Sequence, residues 1–310
     1  MNNNDILNSL AELIKNNNSS KGISIKLAYK NFYENSKTSC RKVTLDYYDK
    51  IFKKLNDALE NLGITYTNEV NKIVYKKLEL YLHNLNYKNS SINKYTDLLK
   101  MIFKINYELE YINNNPINGI KKLKETIPEI KIINEKNLSK INNYLLNLQE
   151  NYLNIRNICA IFILRDTGIR LNELLNLKVK NIYLKDNTIF LDYTKTNKTR
   201  YVFFNDQTKL FLDKYLKYKE TTNNTYLFEI NGNQMKKDFV YHFLDDISKY
   251  CNIDQSITPH KWRHTFITNL VEKNVNLSNI MTVAGHTEYS TTKRYIHQDI
   301  NKLKNSILGK

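Results

Sequence analysis

DTGIRLNELLNLKVKNI, residues 166–182, is the stretch that sets the reading of the whole chain. Gly168 is placed to break a preceding helix, and a new helix begins near Arg170, so the Arg170 side chain projects from a helix start. Glu173 follows at i+3, one turn on, where it can brace that guanidinium. The chain holds seven arginines against 40 lysines. Arginine offers a planar fork that grips phosphate oxygens at two points, which lysine cannot copy, so the positions of these few arginines are informative. The plainer reading of the same residues is an exposed Arg–Glu surface pair.

Upstream, the pattern from Ser24 to about Lys124 is helical. Leu45, Tyr48, Ile51, Phe52, Leu55, Leu59 and Leu62 recur at three- and four-residue spacing, with Gly63 where a helix would end. A second stripe runs Val70, Val74, Leu78, Tyr81, Leu82, Leu85. A third, Ile92, Tyr95, Leu98, Leu99, Ile102 and Phe103, follows Ser90 and Ser91, which are expected to cap it. Such stripes are core faces of a small helical bundle. NNNPINGIKKLKETIPE (113–129) gathers two of the three prolines and a lysine cluster, and is expected to be a linker. Downstream of Arg170, TIFLDYT (188–194) and RYVFF (200–204) are β-prone and joined by the polar hairpin KTNKT. The predicted fold is mainly α with a small antiparallel β-sheet. Residues 1–23 form a flexible leader, 24–112 a helical domain, 113–129 the linker, and 130–310 a second α+β domain.

Composition narrows the function classes. Of 310 residues 41% are apolar, and Lys+Arg number 47 against 31 Asp+Glu, a net charge of +16. The excess is spread along the chain: 20 basic and 14 acidic side chains up to residue 130, 27 and 17 beyond it. A basic body of this kind suits a polyanionic partner, nucleic acid before an anionic membrane. Codon bias toward Lys, Asn, Ile and Tyr accounts for some of the same excess. The apolar run Ile158–Leu164 is far short of the roughly 20 residues a membrane span requires. MNNNDILNSL has no secretory pattern, and Cys40, Cys159 and Cys251 form neither a disulfide framework nor a close ligand pair, which fits a reducing cytosol.

Two further segments carry chemistry. In TPHKWRHTF (258–266), Thr258 as N-cap and Pro259 at the first helical position start a helix, and His260 and Arg263 share its face. His260 and His264, at i and i+4, have the spacing of a metal pair. A guanidinium between them would oppose a dication, and His264 is read as a structural hydrogen-bonding residue. In VAGHTEYSTTKRYIHQD (283–299), His286 follows a glycine turn, and Ser290 or Thr291 is expected to cap a short helix carrying Tyr295.

The ordered set Arg170 with Glu173, Lys195 on the hairpin, His260-x-x-Arg263, Gly285-His286 and then Tyr295 resembles the tyrosine recombinases, the phage integrases and Xer enzymes. TGIRLNELLNL, TKTNKTRYVFF, TPHKWRHTF and AGHTEYSTTKRYIH look like that family's successive boxes. SINKYTDLLKMIFKINYELEYINNNPINGIKK is similar to the end of its helical core-binding, SAM-like domain and linker. The resemblance spans roughly residues 24–300. It departs at Thr196, which stands where the family's hairpin has a second glycine.

The resemblance implies a site-specific recombinase that cuts and rejoins duplex DNA through a 3′-phosphotyrosyl intermediate and a Holliday junction. Arg170 and Arg263 would clamp the non-bridging oxygens of the scissile phosphate, preorganised electrostatics that require neither metal nor ATP. Tyr295 would be the nucleophile. The family assigns protonation of the leaving 5′ oxygen to the hairpin lysine, here Lys195; Lys198 competes for that role, and spacing alone does not decide between them. His260 would exchange the tyrosine proton, His286 would hydrogen-bond a phosphate oxygen, and Glu173 would support the site. No cofactor is implied. The expected partners are double-stranded DNA with inverted half-sites and other protomers, as a homotetramer on synapsed DNA or a hetero-tetramer with a paralogue, with no membrane and a cytoplasmic location. The tail DINKLKNSILGK places Ile300, Leu303 and Ile307 on one helical face, expected to dock on a neighbouring protomer. The rival readings are a topoisomerase-like relaxing enzyme and a catalytically silent DNA-binding protein on the same fold.

Overall fold

The computed structural model describes residues 22–126, 129–192, 199–219 and 225–295. The chain divides into two compact units, Met1–Ile127 and Pro128–Lys310.

Among the described residues the first unit is built on four helices: α1 (Ile25–Ser36), α2 (Lys42–Asn61), α3 (Lys72–Asn84) and α4 (Asn89–Glu108). Ser24 caps α1 by accepting the Leu27 amide at 3.2 Å, and Asn71 caps α3 by accepting from the Ile73 and Val74 amides. Gly63 follows the end of α2 with φ +74°, a conformation that favours glycine. The three stripes meet as one core in which Leu55, Leu59, Leu78, Leu98, Leu99, Ile102 and Phe103 are buried. Two details differ from expectation. α4 starts at Asn89 without a side-chain cap, so Ser90 and Ser91 lie inside the helix. The packing of Ile92 and Tyr95 in the core outweighs the local cap signal. The segment expected as a linker lies partly against this unit: Ile117 is buried in its core, and Asn93 on α4 brackets Leu123, donating to its carbonyl at 2.9 Å and accepting its amide at 2.8 Å.

The second unit is arranged round α6 (Tyr152–Thr167), which follows α5 (Glu135–Leu146). Ile158 through Leu164 are all buried, and a helix apolar on every side belongs at the centre of a domain. Next come α7 (Leu171–Leu175), β1 (Ile182–Tyr183), β2 (Thr188–Leu191) and β3 (Arg200–Phe203). The strands form an antiparallel sheet in the order β1-β2-β3, with Ile189 opposite Val202 and Leu191 opposite Arg200. α8 (Asp206–Tyr218) packs on α6, and β4 (Glu229–Ile230) pairs with β5 (Asn233–Gln234). This second hairpin was not expected from the sequence. Its turn, Asn231-Gly232, has φ of 50° and 74°, the positive pair that an Asn-Gly hairpin turn needs. α9 (Lys237–Tyr250), α10 (Pro259–Glu272), α11 (Leu277–Ala284) and α12 (Tyr289–Lys293) complete the described chain. α10 packs on both α6 and α11. No helix among the described residues is long and apolar enough to cross a membrane. The fold is thus mainly α with small antiparallel sheets, and the ends of α6 and α11 lie beside α10.

Candidate active site

Two helix ends organise the site. α6 stops at Thr167, and Gly168 turns left-handed with φ 59°. α11 stops at Ala284, and Gly285 does the same with φ 65°. The last carbonyls of a helix have no amide four residues on and carry the negative end of its dipole. Arginines supply donors here. Arg263, in the first turns of α10, donates through Nη1 to the Gly168 carbonyl at 2.8 Å and through Nη2 to Ala284 at 2.6 Å. Arg170 donates through Nη2 to Gly285 at 3.1 Å, and Arg200 through Nε to Val283 at 2.8 Å. Gly285 also allows a close approach: a Cβ there would lie 2.9 Å from the Arg200 Cζ.

Glu173 ties the arginines together. Only 2% of it is exposed, and it accepts Arg200 through both oxygens, Nη1 at 3.1 Å and Nη2 at 2.8 Å. It also accepts Arg170 Nη1 at 3.1 Å, and reaches back to the Arg170 amide at 2.8 Å to cap α7. Burial alone would raise its pKa, but the hydrogen bonds and charge of Arg200, with the amide and charge of Arg170, outweigh this and hold the carboxyl below its usual range. Glu173 is a carboxylate serving two guanidinium groups. The surface-pair reading fails for this residue, because it is buried.

Arg200 is the residue the sequence reading missed. It starts β3, 8% exposed, on the same inward side as Val202. A charged residue sharing the alternation of a core valine was the available signal, since a buried arginine requires a partner.

The histidines and tyrosine gather beside these arginines. Tyr295, 4% exposed, packs with Ile267, Ile280 and Ala284. Its hydroxyl lies 2.6 Å from His264 Nδ1, and its ring centroid is 6.4 Å from that of His286. His286 Nδ1 meets the buried Thr292 hydroxyl at 2.8 Å. Among the described residues His260, whose edge is exposed, has no hydrogen-bonding partner. Ser290 and Thr291, expected as caps, lie inside α12, which starts at Tyr289. Lys195 and Lys198 lie outside the described residues, as does the tail bearing Ile300, Leu303 and Ile307.

The charge balance follows from burial. Partial loss of solvent lowers the pKa of all three histidines, and neighbouring basic groups add to it: Arg263 and Arg170 at His260, and His260, Arg263 and Arg294 at His264. His286 falls to about 4, from burial first and then Arg263, Arg170 and Arg200. Arg263 itself is lowered to about 10 by burial and by Arg170 and Arg200, so it remains charged at neutral pH. Burial pushes Tyr295 up, against the pull of Arg263 and Arg294. Near pH 7 the site therefore presents fixed guanidinium charge, neutral imidazoles and a protonated phenol. Such an arrangement suits an anion that two forks can grip and one hydroxyl can attack.

The chain resembles known proteins over most of its length. Residues 131–302 match the model of the phage integrase family, and residues 25–124 match that of the phage integrase SAM-like domain. A tyrosine recombinase of Agathobacter rectalis is 30% identical over 271 residues, covering 80% of this chain and 87% of that protein. The chain belongs to the phage integrase family of tyrosine recombinases. Tyrosine recombinase XerA of Saccharolobus solfataricus is 34% identical over 200 residues, covering 64% of this chain and 62% of that relative. Among solved structures, the Tn1549 transposon integrase, determined in complex with transposon right end DNA, aligns over 91% of this chain and 99% of its own. Its TM-score is 0.74 at 18% identity, a likeness of fold. This recombinase is accordingly a DNA strand-transferring enzyme.

Proposed function

We propose that this recombinase cuts and rejoins duplex DNA at a specific site through a 3′-phosphotyrosyl intermediate. The observation that carries the proposal is the convergence of Arg170, Arg263, His286 and Tyr295 on the ends of α6 and α11. Arg170 and Arg263 grip the non-bridging oxygens, whose charge grows as the phosphate is attacked. His260 and His286 contact the phosphate beside them, and Glu173 holds Arg170. Tyr295 attacks, and the phosphotyrosyl bond conserves the energy needed for rejoining. Lys195 on the β2–β3 hairpin protonates the departing 5′ oxygen. The lysine-rich body binds the DNA backbone, as the Tn1549 integrase binds transposon DNA. Two protomers occupy inverted half-sites, and two duplexes synapse in a tetramer in the cytoplasm and resolve through a Holliday junction. A leader of residues 1–23, a core-binding domain of residues 24–112, a linker of residues 113–129 and a catalytic domain of residues 130–310 divide this work.

The test begins with Tyr295→Phe protein, used to select duplexes from a randomised library. Nicked copies of the selected duplex are then incubated with the unaltered protein and denatured. A covalent protein–DNA adduct is expected with the wild type and none with Tyr295→Phe, while both bind. An adduct that survives the substitution refutes the assignment of the nucleophile. Binding by the wild type without any adduct favours the silent DNA-binding reading. Relaxation of plasmids lacking the selected site favours the topoisomerase reading.

A further inference from the structure

Three imidazoles line the site, and one of them touches the attacking oxygen. His264 Nδ1 lies 2.6 Å from the Tyr295 hydroxyl, with ring centroids 5.6 Å apart. His286 has its Nδ1 against Thr292, and His260, one turn earlier on α10, has no hydrogen-bonding partner among the described residues. We propose that His264 is a catalytic residue that receives the Tyr295 proton at Nδ1 when the tyrosine attacks DNA. This rests on the function proposed above and reassigns the proton that the family resemblance gave to His260.

The step balances. The Tyr295 O–H bond breaks and its proton passes to Nδ1. The phenolic oxygen bonds phosphorus, and the P–O5′ bond breaks with its electron pair going to the leaving oxygen. Lys195 supplies that oxygen's proton separately. On rejoining, the proton returns from His264 to the departing tyrosine. Donation by the hydroxyl requires a neutral imidazole with its proton on Nε2, and the surroundings favour the neutral state: partial burial disfavours the imidazolium, as do His260 and Arg263 on its own helix and Arg294 beside Tyr295. His286, whose own titration feels His264, completes the set of groups facing it. An imidazolium at His264 becomes tolerable once a phosphate brings negative charge among these cations. The tyrosine thus gains an acceptor that is neutral and aligned before DNA arrives, and that is able to hold charge only while DNA is bound.

The test compares wild type, His264→Asn and His260→Asn in single-turnover adduct formation on the selected nicked duplex. Asparagine keeps a hydrogen-bonding atom near the Nδ1 position but is not basic. His264→Asn is expected to slow adduct formation about 100-fold and to remove the acid limb of the rate–pH profile. His260→Asn is expected to retain that limb at a reduced rate. A second duplex with sulfur in place of the bridging 5′ oxygen needs no leaving-group acid, so it should rescue Lys195→Ala but leave His264→Asn slow. Rescue of His264→Asn by sulfur, or an acid limb that survives in it, overturns the assignment. Nitrogen-15 histidine spectra of DNA-free protein give a readout independent of activity: Tyr295→Phe should shift the His264 titration. An unmoved titration also overturns the assignment. A shifted titration in a protein that forms no adduct refutes the recombinase reading, and the transfer step with it, while leaving the hydrogen bond in place.

Discussion

Replacing Glu173 with glutamine removes one charge and almost no volume from a buried cluster of charged groups. The carboxylate is 2% exposed and its Arg200 partner 6%. Glutamine keeps a single acceptor oxygen for two guanidinium groups that now use both carboxylate oxygens. It also offers an amide where Arg200 and the Arg170 backbone both need an acceptor. Breaking a buried ion pair from one side costs about 3–5 kcal/mol, because the abandoned charge stays in a poorly solvated site. Arg263 nearby makes the abandoned charge more costly still. In a unit of this size each kcal/mol lowers Tm by about 2–4 °C, so the expected loss is about 6–20 °C. The chain has one tryptophan, Trp262, buried in α10, so its fluorescence reports the second unit alone. The carboxyl is held below its ordinary range in the folded protein, so its contribution is present above that range and is lost as pH falls through the lowered value. The wild-type transition should therefore drop toward acid more steeply than that of Glu173→Gln. A shift under 2 °C at neutral pH, or identical acid profiles, would refute the buried-network argument.

Three other outcomes follow from the same geometry. Gly285→Ala forces a left-handed φ of 65° on a residue whose Cβ would meet Arg200, so melting followed at Trp262 should fall by several degrees and adduct formation should drop in parallel. His286 has a folded pKa lowered to about 4, so stability it leaves intact near neutrality declines as pH falls from its unfolded value toward 4; His286→Asn should flatten the urea midpoint over that interval. In the first unit Asn106 is fully buried and donates 2.8 Å hydrogen bonds to the Ala28 and Ile102 carbonyls, so Asn106→Leu should cost about 1–3 kcal/mol in urea unfolding monitored by tyrosine.

The sequence showed the site's outline and hid its wiring. Gly168 and Gly285 were legible as helix ends because a left-handed cap has few residues to choose from. Thr258 and Pro259 were legible for a similar reason: Thr258 accepts the Lys261 amide at 3.2 Å and proline occupies the first turn. Ser90, Ser91, Ser290 and Thr291 misled because helix starts are also set by tertiary packing, which local cap residues do not encode. The Asn231-Gly232 hairpin was missed although its turn signal was present, since its strands are only two residues each. Arg200 was hidden because its partner, Glu173, is 27 residues away and meets it only after β3 is laid beside α11. His264 was legible as a hydrogen-bonding residue, but its partner Tyr295 lies 31 residues on and no local pattern links them.

The three arginines of the site divide by how fully they are engaged, and this predicts different consequences for the same substitution. Arg200 commits all three nitrogens, Nε to Val283 and both Nη to Glu173. Arg170 and Arg263 commit only their two Nη atoms, each of which carries a second hydrogen, and leave Nε without a partner among the described residues. A guanidinium has five N–H donors, so these two retain several for an incoming phosphate while their direction is already fixed by helix-end carbonyls. Lysine at position 200 keeps the charge but cannot make the two-point contact, so Arg200→Lys should lower the Trp262-monitored melting temperature. Arg170, with 24% of its side chain exposed, has less to lose structurally, so Arg170→Lys should melt near the wild type yet form adduct about 100-fold more slowly. Equal loss of stability in both variants would mean that Arg170 is as structural as Arg200, and that engagement of the guanidinium nitrogens does not separate scaffold from substrate-binding arginines.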